Sequence, residues 1–243
     1  MMPINRIRTT AQLLIRFAVG TSFALVSVLV SGNEALPCAV SSDTKLPLFG
    51  DLHIHTRYSF DSFLSNQKND PDGAYEYAKG QVITLPDAYG EQTISAQIDR
   101  PIDFAAVTDH GQFLGEVALC DSNWRNAAWW APVCMMSRAK NLWVQLYAAS
   151  LWTVSGGMEG DAPERGMVCS LGDCEANALS TWDDIQAAAE RHYDRSEDCS
   201  FTTFVGYEYT QGQEMANLHR NVIFKNETVT RLPISVFETD SSV

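Results

Sequence analysis

Short apolar segments that end in polar side chains alternate along the chain with segments of helical character. The apolar segments have the length of strands and lie at 47–55, 102–107, 201–209 and 218–224. Between the first two, Asp70 and Pro71 are residue types that begin helices, which predicts a helix over 71–79. Strands that are separated by helices usually pair as parallel neighbours, so this order predicts an α/β fold.

The region 113–200 differs from the rest of the chain, because it holds all six tryptophans and five of the six cysteines. Helical spacing over 135–150 and the capping motif Thr181-x-x-Asp184 predict two helices within it. We therefore expect a helical insertion, rich in cysteine and tryptophan, within the α/β domain.

The charge balance excludes one broad class of function. The chain has 17 Lys and Arg against 30 Asp and Glu, which gives a formal net charge of −13. Such a field repels the phosphate backbone of nucleic acids, so we expect no nucleic-acid partner. The hydrophobic content of 45% is that of a globular protein and excludes intrinsic disorder.

The first 33 residues have the plan of a secretory signal. Arg6, Arg8 and Arg16 precede an apolar stretch at 17–30. This stretch of about 14 residues is shorter than the roughly 20 that a membrane span needs. We therefore predict a signal peptide at 1–33 and a domain at 34–243 that is exported to the periplasm or the extracellular space. An uncleaved anchor is the alternative, and no other membrane contact is expected.

All six cysteines lie beyond this signal. An even number of cysteines in an oxidising compartment favours disulfides. A zinc site is the alternative, but the sequence has no Cys-x-x-Cys pair, which is the usual zinc-binding spacing. Six cysteines allow about 15 pairings, and the spacing does not select one.

Four of the five histidines lie at the ends of predicted strands. His53 and His55 are two positions apart, so their imidazoles lie on one face of a strand, about 7 Å apart at the backbone. The other candidate ligands lie at or just after the ends of later predicted strands. They are His110, Glu208 and His219. The alternative to a metal site is a set of hydrogen-bonded core histidines.

Imidazole and carboxylate ligands together suit Zn²⁺, Mn²⁺ or iron, and their number predicts two or more ions. Adjacent metal ions activate water at neutral pH and hold a substrate oxygen from both sides, so the implied chemistry is hydrolysis. The sequence has no Gly-rich nucleotide-binding loop and no Gly-x-Ser-x-Gly motif. Metal-activated water is therefore favoured over a serine nucleophile.

Two segments resemble the opening of the polymerase-and-histidinol-phosphatase (PHP) domain, whose members are metal-dependent phosphoesterases. These segments are Gly50–Asp61 (GDLHIHTRYSFD) and Ala106–His110 (AVTDH). Four further segments resemble one branch, domain of unknown function 3604 (DUF3604), and are 72–75 (DGAY), 182–186 (WDDIQ), 204–209 (FVGYEY) and 217–224 (NLHRNVIF). The resemblance extends over most of residues 47–238.

The resemblance implies a distorted (β/α)7 barrel with a metal cluster at the carboxyl ends of its strands. In that pattern, His53 and His55 match the first ligand pair, and the other matching ligands are His110, the bridging carboxylate Glu208, and His219. These five are the candidate catalytic residues. Two acidic side chains complete the set of candidate metal ligands. Asp61 matches a position that an acidic residue or a histidine holds in some relatives, and Asp109 either binds metal or positions His110.

PHP domains usually end their site with an Asp-x-His triplet, and none follows His219 here. We therefore expect a partial barrel over 34–243 that lacks its C-terminal part. The expected function is an exported metal-dependent phosphoesterase acting on a small-molecule phosphate ester. A non-catalytic metal- or ligand-binding module and an inactive fragment of a longer enzyme are the alternatives.

Two arginines flank the candidate ligands. Arg57 and Arg220 could bind phosphate oxygens or stabilise a developing negative charge. The alternative is that both pair with carboxylates of this acidic chain. We treat them as candidate substrate-binding residues.

Overall fold

The computed structural model describes residues 44–86, 93–155, 163–213 and 216–239. All of them belong to one structural unit, Leu36–Val243. The predicted signal segment 1–33 lies outside the described residues. None of the described helices is long and apolar enough to cross a membrane.

The described chain contains six strands and six α-helices. The strands are β1 (Gly50–Ile54), β2 (Ile83–Pro86), β3 (Thr93–Ala96), β4 (Phe104–Val107), β5 (Thr202–Gln213) and β6 (Ala216–Ile223). The helices are α1 (Phe60–Leu64), α2 (Pro71–Ala78), α3 (Leu114–Cys120), α4 (Pro132–Ser137), α5 (Leu142–Ser155) and α6 (Cys174–His192). Three short 3-10 helices lie at Gly111–Phe113, Ala127–Trp130 and Met167–Ser170.

The main sheet has the strand order β1-β4-β5-β6. β1, β4 and β5 are parallel, and β6 returns antiparallel to β5. The Asn221 side chain of β6 donates a hydrogen bond to the Leu52 carbonyl of β1 at 2.8 Å, so the sheet curls and brings its first and last strands together. The α/β prediction is confirmed as a curled half-barrel with helices. β2 and β3 form a separate antiparallel hairpin that the sequence pattern did not predict.

Helices α2 and α6 cover one face of this sheet. Their buried side chains include Tyr75, Trp182 and Ile185, which pack in one core cluster with Val107 of β4 and Val205 of β5. The predicted helix over 71–79 is confirmed, since the Asp70 side chain accepts a hydrogen bond from the Gly73 amide at 2.9 Å and caps α2.

The region 113–200 is helical, as expected, and forms a second core cluster around Phe113, Val117 and Trp152. Two disulfides connect its parts, Cys120–Cys134 and Cys169–Cys174. Cys199 is disulfide-bonded as well. The prediction of disulfides is therefore confirmed for these cysteines, while Cys38 lies outside the described residues.

The predicted bounds of two helices in this region were wrong. Thr181 does not begin a helix, because it is buried in the middle of α6, whose cap is Asp173 accepting from the Ala176 amide at 2.9 Å. The helix expected over 135–150 is broken, because the Asn141 side chain accepts hydrogen bonds from the Trp143 amide at 3.0 Å and the Val144 amide at 3.2 Å, and α5 begins there.

Candidate metal centre

The Glu208 carboxylate lies at the centre of the candidate site. It is fully buried, and its Oε2 atom lies 2.8 Å from His53 Nε2 and 2.7 Å from His55 Nε2. Its Oε1 atom contacts His219 Nδ1 and lies 3.8 Å from His110 Nδ1. One carboxylate therefore contacts or faces all four histidines that the sequence places at strand ends.

The topology of the sheet explains this meeting. The two histidines of the His-x-His motif lie on β1 or directly after it, His110 follows β4, and Glu208 lies on β5, at the same edge of the parallel strands. His219 lies on β6, paired with Thr210 in the antiparallel hairpin. The curl of the sheet then closes these four strands around one point.

Asp61 extends the cluster on the side of α1. Its Oδ2 atom lies 2.8 Å from His55 Nδ1 and 3.7 Å from His110 Nε2. His55 therefore has a carboxylate oxygen at each ring nitrogen. Asp61 therefore lies at the edge of the cluster, close to both His55 and His110.

These side chains form three overlapping groups that could hold a metal ion, and the donor atoms of each group lie within 4.8 Å of one another. The groups are His53, His55 and Glu208; His55, Asp61 and His110; and His110, Glu208 and His219. Their mixture of imidazole nitrogen and carboxylate oxygen fits a borderline transition-metal ion.

Burial and neighbouring charges shift the pKa values of this cluster in opposite directions. Burial alone would raise the pKa of Glu208, but the hydrogen bonds from His55 and His219 and the charge of His110 outweigh it and lower the pKa to about 2. Burial opposes a proton on His55, yet Asp61 and Glu208 raise its pKa to about 10. Burial lowers the pKa of His110 to about 4.

Solvent reaches the cluster from one side. The side chains of His53 and His219 are 56% and 43% exposed, whereas those of His55 and His110 are mostly buried. The Asp61 side chain is 44% exposed as well, so the solvent-accessible edge of the cluster includes His53, His219 and Asp61.

The family follows from a comparison of the sequence with family profiles. The profile described as "Protein of unknown function (DUF3604)" matches residues 42–243, a range that contains the whole cluster. The chain belongs to the DUF3604 family. Searches of curated proteins and of solved structures gave no match for this DUF3604 chain.

Asp109 of the DUF3604 chain lies apart from the three groups. Its carboxylate is completely buried and accepts hydrogen bonds from the Thr56 amide and, at 2.7 Å, from the Thr56 hydroxyl. Burial raises the pKa of Asp109 to about 6 against the effect of these bonds. The contact joins the loop after β1 to the end of β4, so Asp109 holds the two ligand-bearing segments together.

Removal of the Thr56 hydroxyl should destabilise the DUF3604 chain. In Thr56→Val the buried Asp109 keeps the backbone donor but loses the hydroxyl donor, so we expect the free energy of unfolding to fall by about 1–3 kcal/mol. Urea denaturation would measure the loss. Thr56→Ser is the matched control and should retain most of the stability. Equal stability of the valine variant and the wild type would contradict the assigned role.

Sequence reasoning missed Thr210, although it lies two positions after Glu208 on the same face of β5. Its hydroxyl donates to Glu208 Oε1 at 3.1 Å and lies 2.8 Å from His110 Nδ1. The same hydroxyl lies 3.1 Å from His219 Nδ1. A hydroxyl that donates its hydrogen to the carboxylate accepts a hydrogen bond from His110 Nδ1, and this arrangement leaves the Nε2 lone pair of His110 on the Asp61 side.

The two arginines of the DUF3604 chain have partners of their own. Arg57 forms an ion pair with Asp121, to which its Nε atom donates at 3.0 Å. Arg220 is exposed and donates to the carbonyl oxygen of His219 at 3.1 Å. The Arg57 ion pair is the arrangement that the alternative interpretation expected.

Proposed function

We propose that this chain is a metal-dependent hydrolase that acts on phosphate esters of small molecules. The observation that carries this proposal is the buried Glu208 carboxylate surrounded by four histidines, three of which lie at the carboxyl ends of parallel strands and the fourth on the antiparallel strand β6. Such a cluster of borderline ligands, open to solvent on one side, matches what a catalytic metal site requires. The proposal extends the DUF3604 membership to the PHP-type metal-dependent phosphoesterases and to their distorted (β/α)7 barrel.

The residues present fit two or more divalent cations, Zn²⁺, Mn²⁺ or iron. Glu208 belongs to two of the three groups and would be shared between neighbouring ions. When bound, such ions lower the pKa of a coordinated water and polarise a phosphoryl oxygen. The raised pKa of His55, about 10, makes it an imidazolium in the protein alone, and it would have to lose one proton to coordinate an ion through one ring nitrogen. Thr210 would hold His110 in the tautomer whose Nε2 atom can coordinate.

A polar cleft beside the cluster supports a small-molecule substrate. It has a volume of about 270 Å³ and lies between α1, the loop after it and the β2–β3 hairpin. Asp61 lines this cleft and also contacts His55. Serine, asparagine and glutamine side chains in the same wall offer neutral hydrogen-bonding groups to a polar substrate.

We also propose that the chain acts outside the cytoplasm, after export by the signal at 1–33. The two disulfides Cys120–Cys134 and Cys169–Cys174 are consistent with an extracellular protein.

The test is hydrolysis by the purified chain loaded with Mn²⁺ or Zn²⁺. We expect turnover of p-nitrophenyl phosphate or bis-p-nitrophenyl phosphate, lowered more than about a hundredfold in His53→Ala, because loss of a ligand exceeds the 10–100-fold effect of an outer-shell change. His192→Ala is the matched control, since His192 pairs with Asp72 on α2 and lies outside the three groups. Absence of His53-dependent turnover across phosphomonoesters, phosphodiesters and carboxylic esters would disprove the proposal.

A second candidate is a metal-binding module without turnover. The Arg57 ion pair with Asp121 favours it, because that guanidinium is already engaged and is less able to bind phosphate. Stoichiometric metal binding that depends on His53, without hydrolysis of any of these esters, would select this candidate.

A further inference from the structure

An apolar cavity of about 280 Å³ lies in the helical region, separate from the metal cluster. Its wall comes from α3, α4 and α5, together with the segment around the 3-10 helix Met167–Ser170. Phe113, Met136 and Trp152 supply large apolar surfaces. The volume and lining are those of a small-ligand site.

Glu116 brings a carboxylate to this apolar wall. Its side chain is 1% exposed. One oxygen, Oε1, accepts a hydrogen bond from Arg165 Nη1 at 3.0 Å. The other oxygen, Oε2, is buried and has no hydrogen-bond partner among the described residues. Burial of a hydrogen-bond acceptor without a donor is unfavourable, so a donor placed against this oxygen would stabilise it.

The neighbouring cysteine sulfur atoms do not supply this hydrogen bond. Glu116, Cys169 and Cys174 lie close enough together to resemble a metal site, and Cys169 Sγ is 3.3 Å from Glu116 Oε1. Both cysteines are in the Cys169–Cys174 disulfide, so they have neither a thiolate to bind a metal nor a hydrogen to donate. The group is therefore not a metal site as long as the disulfide is intact.

We propose that this cavity binds a small apolar molecule that carries one hydrogen-bond donor, such as an aromatic alcohol. The donor would bond to Glu116 Oε2, and the ring would pack against Phe113, Met136 and Trp152. A dry cavity of about 150 Å³ already accepts benzene. A cavity of about 280 Å³ therefore accepts an aromatic ring with a substituent.

None of the residues that line the cavity belongs to the three groups of the metal cluster, although a chain of aromatic rings connects the two sites. Trp152 contacts Phe113 at 4.9 Å between ring centroids, Phe113 contacts Phe60 at 5.4 Å, and Phe60 contacts His110 at 4.8 Å. Because the two sites share no residue, ligand binding to the cavity can be tested whether or not the chain hydrolyses esters.

Calorimetric titration with p-cresol and toluene tests the proposal, because these probes differ only in one hydroxyl group. We expect the purified chain to bind p-cresol about tenfold more tightly than toluene, which is the effect of one hydrogen bond to a charged or partly charged acceptor. In Glu116→Met the acceptor is lost, Arg165 keeps its ion pair with Glu238, and the affinity for p-cresol should fall to that for toluene.

A second variant keeps the test decisive if Glu116→Met fails to fold. Val154 lines the cavity and is 51% exposed, so Val154→Trp should fold normally and fill the opening. We expect this substitution to lower the affinity for both probes at least about tenfold. Equal affinities of p-cresol and toluene for the wild type, no binding of either probe, or binding unchanged by Val154→Trp would overturn the proposal.

Discussion

Glu208→Gln should remove most of the divalent metal from the purified chain. The substitution keeps the size of the side chain but removes the negative charge that two of the three candidate groups share. A neutral amide oxygen is a weaker ligand for Zn²⁺, Mn²⁺ or iron than a carboxylate. We expect metal affinity to fall by more than about a hundredfold, beyond the effect of an outer-shell change. Plasma mass spectrometry of protein purified without chelator would measure the metal content.

Glu175→Gln is the matched control for this experiment. Glu175 is exposed and pairs with Arg231 at the surface, so its loss should leave the metal content unchanged. Circular dichroism of both variants would show whether the fold is retained. Wild-type metal content in a folded Glu208→Gln variant would show that the carboxylate does not bind the metal.

Trp182→Ala should be the most destabilising single change that we predict, with a loss of about 3–5 kcal/mol in the free energy of unfolding. Trp182 is completely buried in α6. Its ring lies 6.0 Å from that of Tyr207 and 6.2 Å from that of Phe224. Its Nε1 atom also donates to the Thr230 carbonyl at 3.0 Å. Truncation would leave a large cavity and remove the hydrogen bond to the Thr230 carbonyl.

Urea denaturation of two further variants would separate these contributions. Trp182→Phe keeps an aromatic ring but loses the hydrogen bond, so it should cost less than the alanine variant, roughly 1–3 kcal/mol. Trp143→Ala removes a side chain that is 78% exposed and should change stability by less than about 0.5 kcal/mol. A Trp182→Ala variant as stable as Trp143→Ala would contradict the core position.

The sequence predicts the four strands of the main sheet and helix α2 because each has a local cause. The strands are apolar runs, and α2 has a cap residue followed by proline. The ligand set follows in part from the same patterns, since the alternation of side chains along a strand puts His53 and His55 on one face. Asp61 was available only from the resemblance, because the five-residue helix α1 that carries it is too short to show a period.

Other features depend on contacts between distant parts of the chain. The Thr181 motif has the spacing of a helix cap, but burial of Thr181 inside α6 decides where the helix begins. The Cys120–Cys134 pairing reflects the approach of α3 to α4. β2 and β3 are only four residues each, which is too short for a reliable alternation.

The strand order also fixes when the cluster can form. In the folded sheet Phe104 of β4 pairs with Gly50 on one side and Thr202 on the other, so both pairings join distant segments. Such non-local pairings form slowly and late in folding. The histidines and Glu208 therefore meet only when most of the chain is in place, so a cation that needs the whole cluster would bind last. The identity of such a cation would then depend on the supply in the compartment where folding finishes, as well as on the candidate ligands themselves.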